Sequence, residues 1–461
     1  MKLLFYSYVF MVSATILSCE SAARQIKPTV RLITLDPGHF HAALVQKSMY
    51  EEVDPHVYVY APEGPDVRQH LDRVKAYNKN AENPTHWNEE VYLGNDFLYK
   101  MLSEKKGNVV VIAGNNQNKT TYIKGSIEGG LNVLADKPMA IDKANFQLLK
   151  NAFDKAMEKQ LLLYDIMTER YEITNMLQRE ISMVPEIFGT LQKGSPEKPA
   201  VEMESVHYFY KYVSGNVLTR PTWFMDVAQQ GEGITDVATH LVDLVQWECF
   251  PEKIIRYENE VKVNSARRWS TDLTLSQFNA ITNQNDFPDF LKNNVIHDSI
   301  LQVFANGEIQ YQLNGVNVKV TARWDYKAPE GSGDTHYSAL RGTKANLIIK
   351  QDAEQNYKPT LYIESLPGSA ASYENELKQS FSKIQAKHPG VELKKIDTGW
   401  EIVIPEKYKE GHEAHFARVM EKFLLYLKNG NMPAWEVPNM LAKYYTTTQA
   451  LELAKKVQQN K

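Results

Sequence analysis

Short apolar runs alternate with amphipathic stretches along the first third of the chain. Residues 30–35 form an apolar run stopped by the turn Asp36-Pro37-Gly38, and residues 41–49 follow with helical spacing. Residues 56–60 are β-rich and end at the turn Ala61-Pro62-Glu63-Gly64-Pro65; the polar stretch 66–96 begins with a helical pattern. Residues 108–112 are continuously apolar, as expected of a strand covered on both faces. A helix over 119–128 ends at Gly129-Gly130, and 131–135 reads as a strand stopped by Asp136-Lys137-Pro138. A helix over 142–159 leads into the strand-like 161–164. This β-α-β-α order predicts an α/β fold, a doubly wound parallel sheet with helices on both faces.

The period changes after residue 166. A single long helix is expected over 168–183, then strand-like segments at 201–210, 299–305, 308–313, 315–323, 344–350 and 359–364. Their alternation of apolar and polar positions suggests a second, α+β domain with an open, mostly antiparallel sheet. The stretch 265–295 is polar and irregular, without a clear element. Residues 368–412 are rich in Lys and Glu, with a helix and a hairpin-like segment, and 413–429 and 437–457 read as two closing helices. The expected division is 29–165 for the parallel-sheet domain and 166–461 for the second.

Residues 1–18 are not part of either domain. A Lys precedes a short hydrophobic run, small residues follow, and Leu17-Ser18-Cys19 resembles a bacterial lipobox. This predicts an exported, periplasmic or cell-envelope lipoprotein, cleaved before Cys19, lipidated there and tethered by 19–28, with membrane contact through that lipid alone. The 461 residues carry 52 Lys and Arg against 56 Asp and Glu, a net charge of −4. That balance argues against a nucleic-acid binder working through a basic surface. The only cysteines, Cys19 and Cys249, cannot build a zinc cage or a disulfide framework.

Three clusters carry candidate chemistry. In a doubly wound sheet, phosphates lie over a helix N-terminus at the carboxyl ends of the strands. The first strand–turn–helix is therefore the expected nucleotide site, although Gly38, before His39 and Phe40, is the only glycine there and is equally an ordinary turn residue. Glu63 and Asp66, after the second strand, could hold a ribose diol and would disfavour a 2′-phosphate, which points to NAD rather than NADP. The second cluster is Asp136-Lys137-Pro138. A Lys at the end of a buried parallel strand is costly unless it faces a cleft, where it can hold a hydroxyl or carbonyl oxygen. Pro138 also raises the chance of a cis peptide. In the third, Gly231-Glu-Gly leads to Asp236, His240 and Asp243, whose i, i+4, i+7 spacing places them on one helical face. A His flanked by carboxylates can take up a proton, or all three can simply satisfy one another. No HExxH or Cys spacing supports a metal, and none is expected.

Together and in this order, the clusters resemble the Gfo/Idh/MocA oxidoreductases, the glucose–fructose oxidoreductase and inositol dehydrogenase family. Asp136-Lys137-Pro138 resembles its Glu-Lys-Pro signature, and Gly231-Glu-Gly with Asp236-x-x-x-His240-x-x-Asp243 its glycine-rich helix motif. Asn115-Asn116 resembles the loop near the nicotinamide ribose, and Arg220-Pro-Thr-Trp223 the lead into the motif helix. Gly38-x-x-His41-Ala42 matches only the tail of the glycine fingerprint; backbone amides of 37–40 are the expected substitute for its pyrophosphate grip. The resemblance implies a Rossmann domain, a nicotinamide dinucleotide, a sugar or glycoside substrate and a homo-oligomer. It implies that Lys137 holds the reacting hydroxyl, that His240 transfers the proton, and that Asp236 orients His240 or binds a neighbouring hydroxyl. Asp243 would support them, and His207, Tyr208, Arg220 and Trp223 would line the pocket, with Asp334 and His336 within reach. The leading expectation is oxidation of a secondary hydroxyl, C3 of a glycoside among the candidates. The alternatives are an NAD-dependent glycosidase and a lipid-anchored sugar-binding protein without catalysis.

Overall fold

A computed structural model describes residues 29–213, 216–366 and 371–459; the leader and Cys19 lie outside the described residues. The first sheet has six parallel strands: β1 (Leu32–Leu35), β2 (His56–Ala61), β3 (Asn88–Leu93), β4 (Val109–Ile112), β5 (Asn132–Asp136) and β6 (Leu163–Ile166). Their spatial order is β3-β2-β1-β4-β5-β6, so the winding reverses between β1 and β4. There the helix α1 (His41–Leu44) follows β1. Outward from it the sheet is wrapped by α2 (Pro65–Asn78), α3 (Phe97–Glu104), α4 (Lys119–Glu128) and α5 (Lys143–Glu158). Strands β1, β4 and β6 are buried at every position; β4 is the continuous apolar run, while β6 carries the buried Asp165.

Four expectations are corrected. The helix anticipated over 41–49 is one turn long. The polar stretch 66–96 contains β3, an edge strand with no buried residue, stabilised by its ladder to β2 rather than by apolar burial. The helix expected over 168–183 is a 3-10 turn, Thr168–Tyr171, then α6 (Ile173–Ser182), separated by Glu172 in extended conformation. The stretch 265–295 holds most of a fourteen-residue strand, Val261–Thr274, and the helix Leu275–Thr282, capped by Thr274 and Gln277. That strand lies at a sheet edge and carries two register shifts, which break the alternation a strand normally shows.

The second sheet runs Val261–Thr274, Ile300–Leu313, Val316–Lys327, Val201–Tyr210, Thr335–Arg341, Ala345–Gln351, Thr360–Ser365, Gly399–Val403, Glu392–Ile396 in space. Only Val201–Tyr210 and Val316–Lys327 pair in parallel along this path. Helix α6, the short α7 (Val227–Gln230) and α8 (Ala238–Cys249) cover one face. The closing helices return to the first domain: Phe416, Val419, Met420 and Phe423 on His412–Asn429, and Met440 and Tyr444 on Glu436–Gln459, are buried in the parallel-sheet core.

Candidate active site

The site lies where the β1, β4 and β5 ends meet α7 and the start of α8. A Cβ on Gly38 would stand 3.2 Å from Asp66 Oδ2 and 3.3 Å from both the Asn115 amide nitrogen and the Trp223 indole. The three segments approach this closely only around a glycine. The Gly38 and His39 amides donate to the Ala113 carbonyl at 3.3 and 3.2 Å, and Pro37 has no N–H. The anion grip expected from 37–40 is therefore corrected: among the described residues, only Phe40 of that span keeps an amide without a backbone acceptor. Glu63 is exposed just beyond β2, 3.9 Å from Arg68. The reversed winding, the close backbone at Gly38 and an acid beyond β2 fit a dinucleotide lying across the β1 and β4 ends.

Beyond β4, Asn115 Nδ2 donates to Gln229 Oε1 at 2.7 Å, and Asn116 donates from its amide to Gln229 O (3.0 Å) and from Nδ2 to Gln230 O (2.7 Å). These asparagines clamp α7 to the first domain. At the end of β5, Lys137 precedes Pro138 through a cis peptide. Its Nζ donates to Asp236 Oδ1 at 2.7 Å, with side chains only 12% and 6% exposed. Gln230 Nε2 donates to the other Asp236 oxygen at 3.1 Å. Asp236 thus holds Lys137, which corrects the expectation that it orients His240. It lies in the turn before α8, where Gly233 is pressed so close to Ala305 that a Cβ would stand 2.0 Å from its carbonyl oxygen.

His240 sits in the first turn of α8 with a buried Nδ1 that has no hydrogen-bond partner among the described residues. Burial, and then the Lys137 charge, push its pKa well below the usual histidine value, so the imidazole is neutral. Asp243, expected to support this group, belongs elsewhere: it accepts from Arg170 Nε (2.6 Å), Arg170 Nη2 (2.7 Å) and Lys443 Nζ (2.8 Å). Lys443 also reaches Asp165 Oδ2 at 2.6 Å, and Arg170 reaches Glu436 Oε2 at 3.2 Å. The sequence offers no local signal for this buried network, because its members come from three distant segments.

The expected pocket residues separate. His207 and Tyr208 are adjacent on one strand and project to opposite faces. His207 shares the face of Phe209 and Trp324, its Nδ1 3.0 Å from Asp334 Oδ2, and Lys211 donates to the same oxygen. Tyr208 lies on the other face, which removes it from the site. Arg220 donates to the Phe209 and Tyr208 carbonyls at 2.9 and 3.2 Å and stacks on Phe224 and Trp324, so its charge is used in packing. Trp223 covers Gly38 and donates to Asp66 Oδ2 at 2.8 Å. His336 Nδ1 lies 2.8 Å from Ser205 Oγ. A small cavity beside Asp236 is walled by Phe209, Phe224, Gln230 and Trp324. Gln229 and Gln230 were not anticipated; glutamines in a short helix give no distinguishing pattern.

This fold and constellation define a two-domain oxidoreductase. Residues 177–455 match the family model described as "Putative oxidoreductase C terminal domain". A "putative oxidoreductase" from Parabacteroides merdae is 55% identical over 93% of this chain and 98% of its own, with a TM-score of 0.92. The chain belongs to this oxidoreductase C-terminal domain family. Two more distant structures share its fold. Levoglucosan dehydrogenase, solved with NADH and levoglucosan, is 13% identical over 93% of this chain and 97% of its own, with a TM-score of 0.57. A "putative myo-inositol dehydrogenase" from Sinorhizobium meliloti is 12% identical over 93% and 98%, with a TM-score of 0.52. No curated protein matches the chain.

Proposed function

We propose that this protein is an exported NAD-dependent oxidoreductase acting on a secondary hydroxyl of a sugar or glycoside, with its cofactor tightly held. The observation that carries the reading is the Lys137–Asp236 pair at the end of β5, beside a neutral His240 with an unpartnered nitrogen. When bound, the dinucleotide supplies hydride acceptance. The chain's own groups do the rest. Lys137, fixed by Asp236, presents its ammonium to the hydroxyl oxygen and stabilises the charge that grows there. His240 receives the hydroxyl proton and returns it in the reverse direction. Asp136 and Lys137 at β5, Asn115 and Asn116 beyond β4, and Gly38, His39 and Phe40 after β1 border the cofactor, and Glu63 suits an unphosphorylated ribose.

Export supports tight retention, since free nicotinamide nucleotide is scarce outside the cytoplasm. The lipid at Cys19 and a homo-oligomer belong to the same proposal. The decisive experiment uses protein lacking residues 1–18, purified without added cofactor. It is denatured and any released nucleotide is identified, while intact protein is followed at the reduced-nicotinamide band as glucosides are added. Bound NAD that changes redox state with a glycoside supports the reading. Aglycone release without net redox change would replace it with a glycosidase, and failure to hold or take up nucleotide would replace it with a binding role.

A further inference from the structure

The geometry points to a binding site for a late first-row divalent cation, of the zinc class, formed by His39, His41 and Asp136. Two chain segments far apart in sequence supply it: the turn between β1 and α1, and the end of β5. His41 Nδ1 lies 2.9 Å from Asp136 Oδ2, and His39 Nδ1 lies 3.7 Å from the same oxygen. One donor atom from each residue falls within 4.8 Å of the others. Tetrahedral zinc with bonds of about 2.0–2.1 Å spaces its ligands by about 3.3 Å, so each imidazole needs only a few tenths of an ångström relative to Asp136, while the two imidazoles, within 4.8 Å, close by up to about 1.5 Å through side-chain rotation.

Two independent observations favour a cation over a simple hydrogen-bonded dyad. His39 Nδ1 is buried with no hydrogen-bond partner among the described residues, a condition native interiors seldom leave unanswered. The neighbouring ammonium groups also leave the Asp136 carboxylate oxygens unoccupied, while their charge acts on both imidazoles. Lys119 Nζ donates to the Asp136 backbone carbonyl at 2.9 Å, and Lys137 Nζ to Asp236. The Asp136 carboxylate is left to the imidazoles. Two imidazoles and one carboxylate suit zinc, cobalt or nickel better than magnesium or calcium, which prefer all-oxygen sets. Phe40 and Phe416 pack on the His41 ring at 4.5 and 4.6 Å, giving the site apolar walls. Three protein ligands leave a fourth position free. The ion would tie the β1–α1 turn, which lacks most of the glycine fingerprint, to the strand end that carries Lys137.

The test uses the full mature chain, free of any affinity tag, stripped with a chelator and titrated with zinc chloride and, separately, cobalt chloride. One equivalent is expected to bind. The cobalt form should show the intense visible bands of a four-coordinate site, and the melting temperature should rise. His39→Gln and Asp136→Asn should each weaken binding on the order of 100-fold. His412→Gln should leave it unchanged, although that ring lies 5.8 Å from His41. No uptake, or uptake unaltered in His39→Gln and Asp136→Asn, overturns the proposal, as does a loss confined to His412→Gln. Should the ligand variants fail to fold, X-ray absorption at the zinc edge of the wild-type complex decides. Two imidazoles in the first shell support the site, and an all-oxygen shell overturns it.

Discussion

At the residue scale, the site rests on a charge pair and a neutral imidazole. Lys137→Ala should abolish glycoside-dependent reduction of the cofactor while leaving nucleotide bound. The variant also leaves Asp236 buried and unpaired, so it should melt lower. Lys137→Ala/Asp236→Asn should recover the melting temperature but not the turnover, and recovered turnover would remove Lys137 from the chemistry. His240→Ala should slow turnover by about 10²–10⁴, and a loss under roughly tenfold would return it to packing. Elsewhere, His70 on α2 is 2% exposed, with both ring nitrogens unpartnered, and burial pushes its pKa down to about 4. The unfolded chain takes up a proton near pH 6.5 that the native site refuses, so stability is present above that pH and is lost below it. Relative to wild type, His70→Leu should gain about 2 kcal/mol between pH 7 and pH 5, measured by denaturant melts. A pH-independent difference would mean that the ring finds a partner.

At the element scale, the closing helix Glu436–Gln459 is locked by charge as well as by packing. Lys443 is 0% exposed and bridges Asp165, at the end of β6, to Asp243 on α8. Tyr444 donates to Asp165 at 3.0 Å, and Tyr164 donates to Glu436 at 3.1 Å. Such a network gains little over an apolar replacement, but breaking it strands a buried charge. Lys443→Met should therefore cost about 3–5 kcal/mol in chemical denaturation. A cost under 1 kcal/mol would show that Asp165 and Asp243 reach water. The sequence revealed α4 and α5 because each buries a face whose period is visible locally, and β4 and β5 because strands covered on both faces read as near-continuous apolar runs. It concealed β3 and Val261–Thr274 because edge strands draw their stability from a neighbour's backbone, and their polar side chains carry no period.

At the scale of the whole molecule, the two domains share their closing helices. Phe416, Val419, Met420 and Phe423 fill the parallel-sheet core from a segment more than 240 residues beyond its last strand, β6. Residues 29–165 expressed alone should thus expose an apolar face, and should lack a cooperative thermal transition by circular dichroism. A sharp, reversible transition in that fragment would show that the helices are accessory. Among the described residues no helix is long and apolar enough to cross a membrane.

The strand–helix alternation of the first domain apart from its edge strand β3, the Lys137 strand end and the Asp236–His240 spacing were determined by the sequence alone. Each is set by local periodicity or by a motif within a few residues, where burial of one face leaves a direct imprint. Only the tertiary structure decided that Asp236 holds Lys137, that Asp243 serves a buried network, that Tyr208 turns away and that His39, His41 and Asp136 converge. Those outcomes depend on which distant segments become neighbours and on which partner a charge finds once water is excluded, and neither leaves a local pattern in the chain.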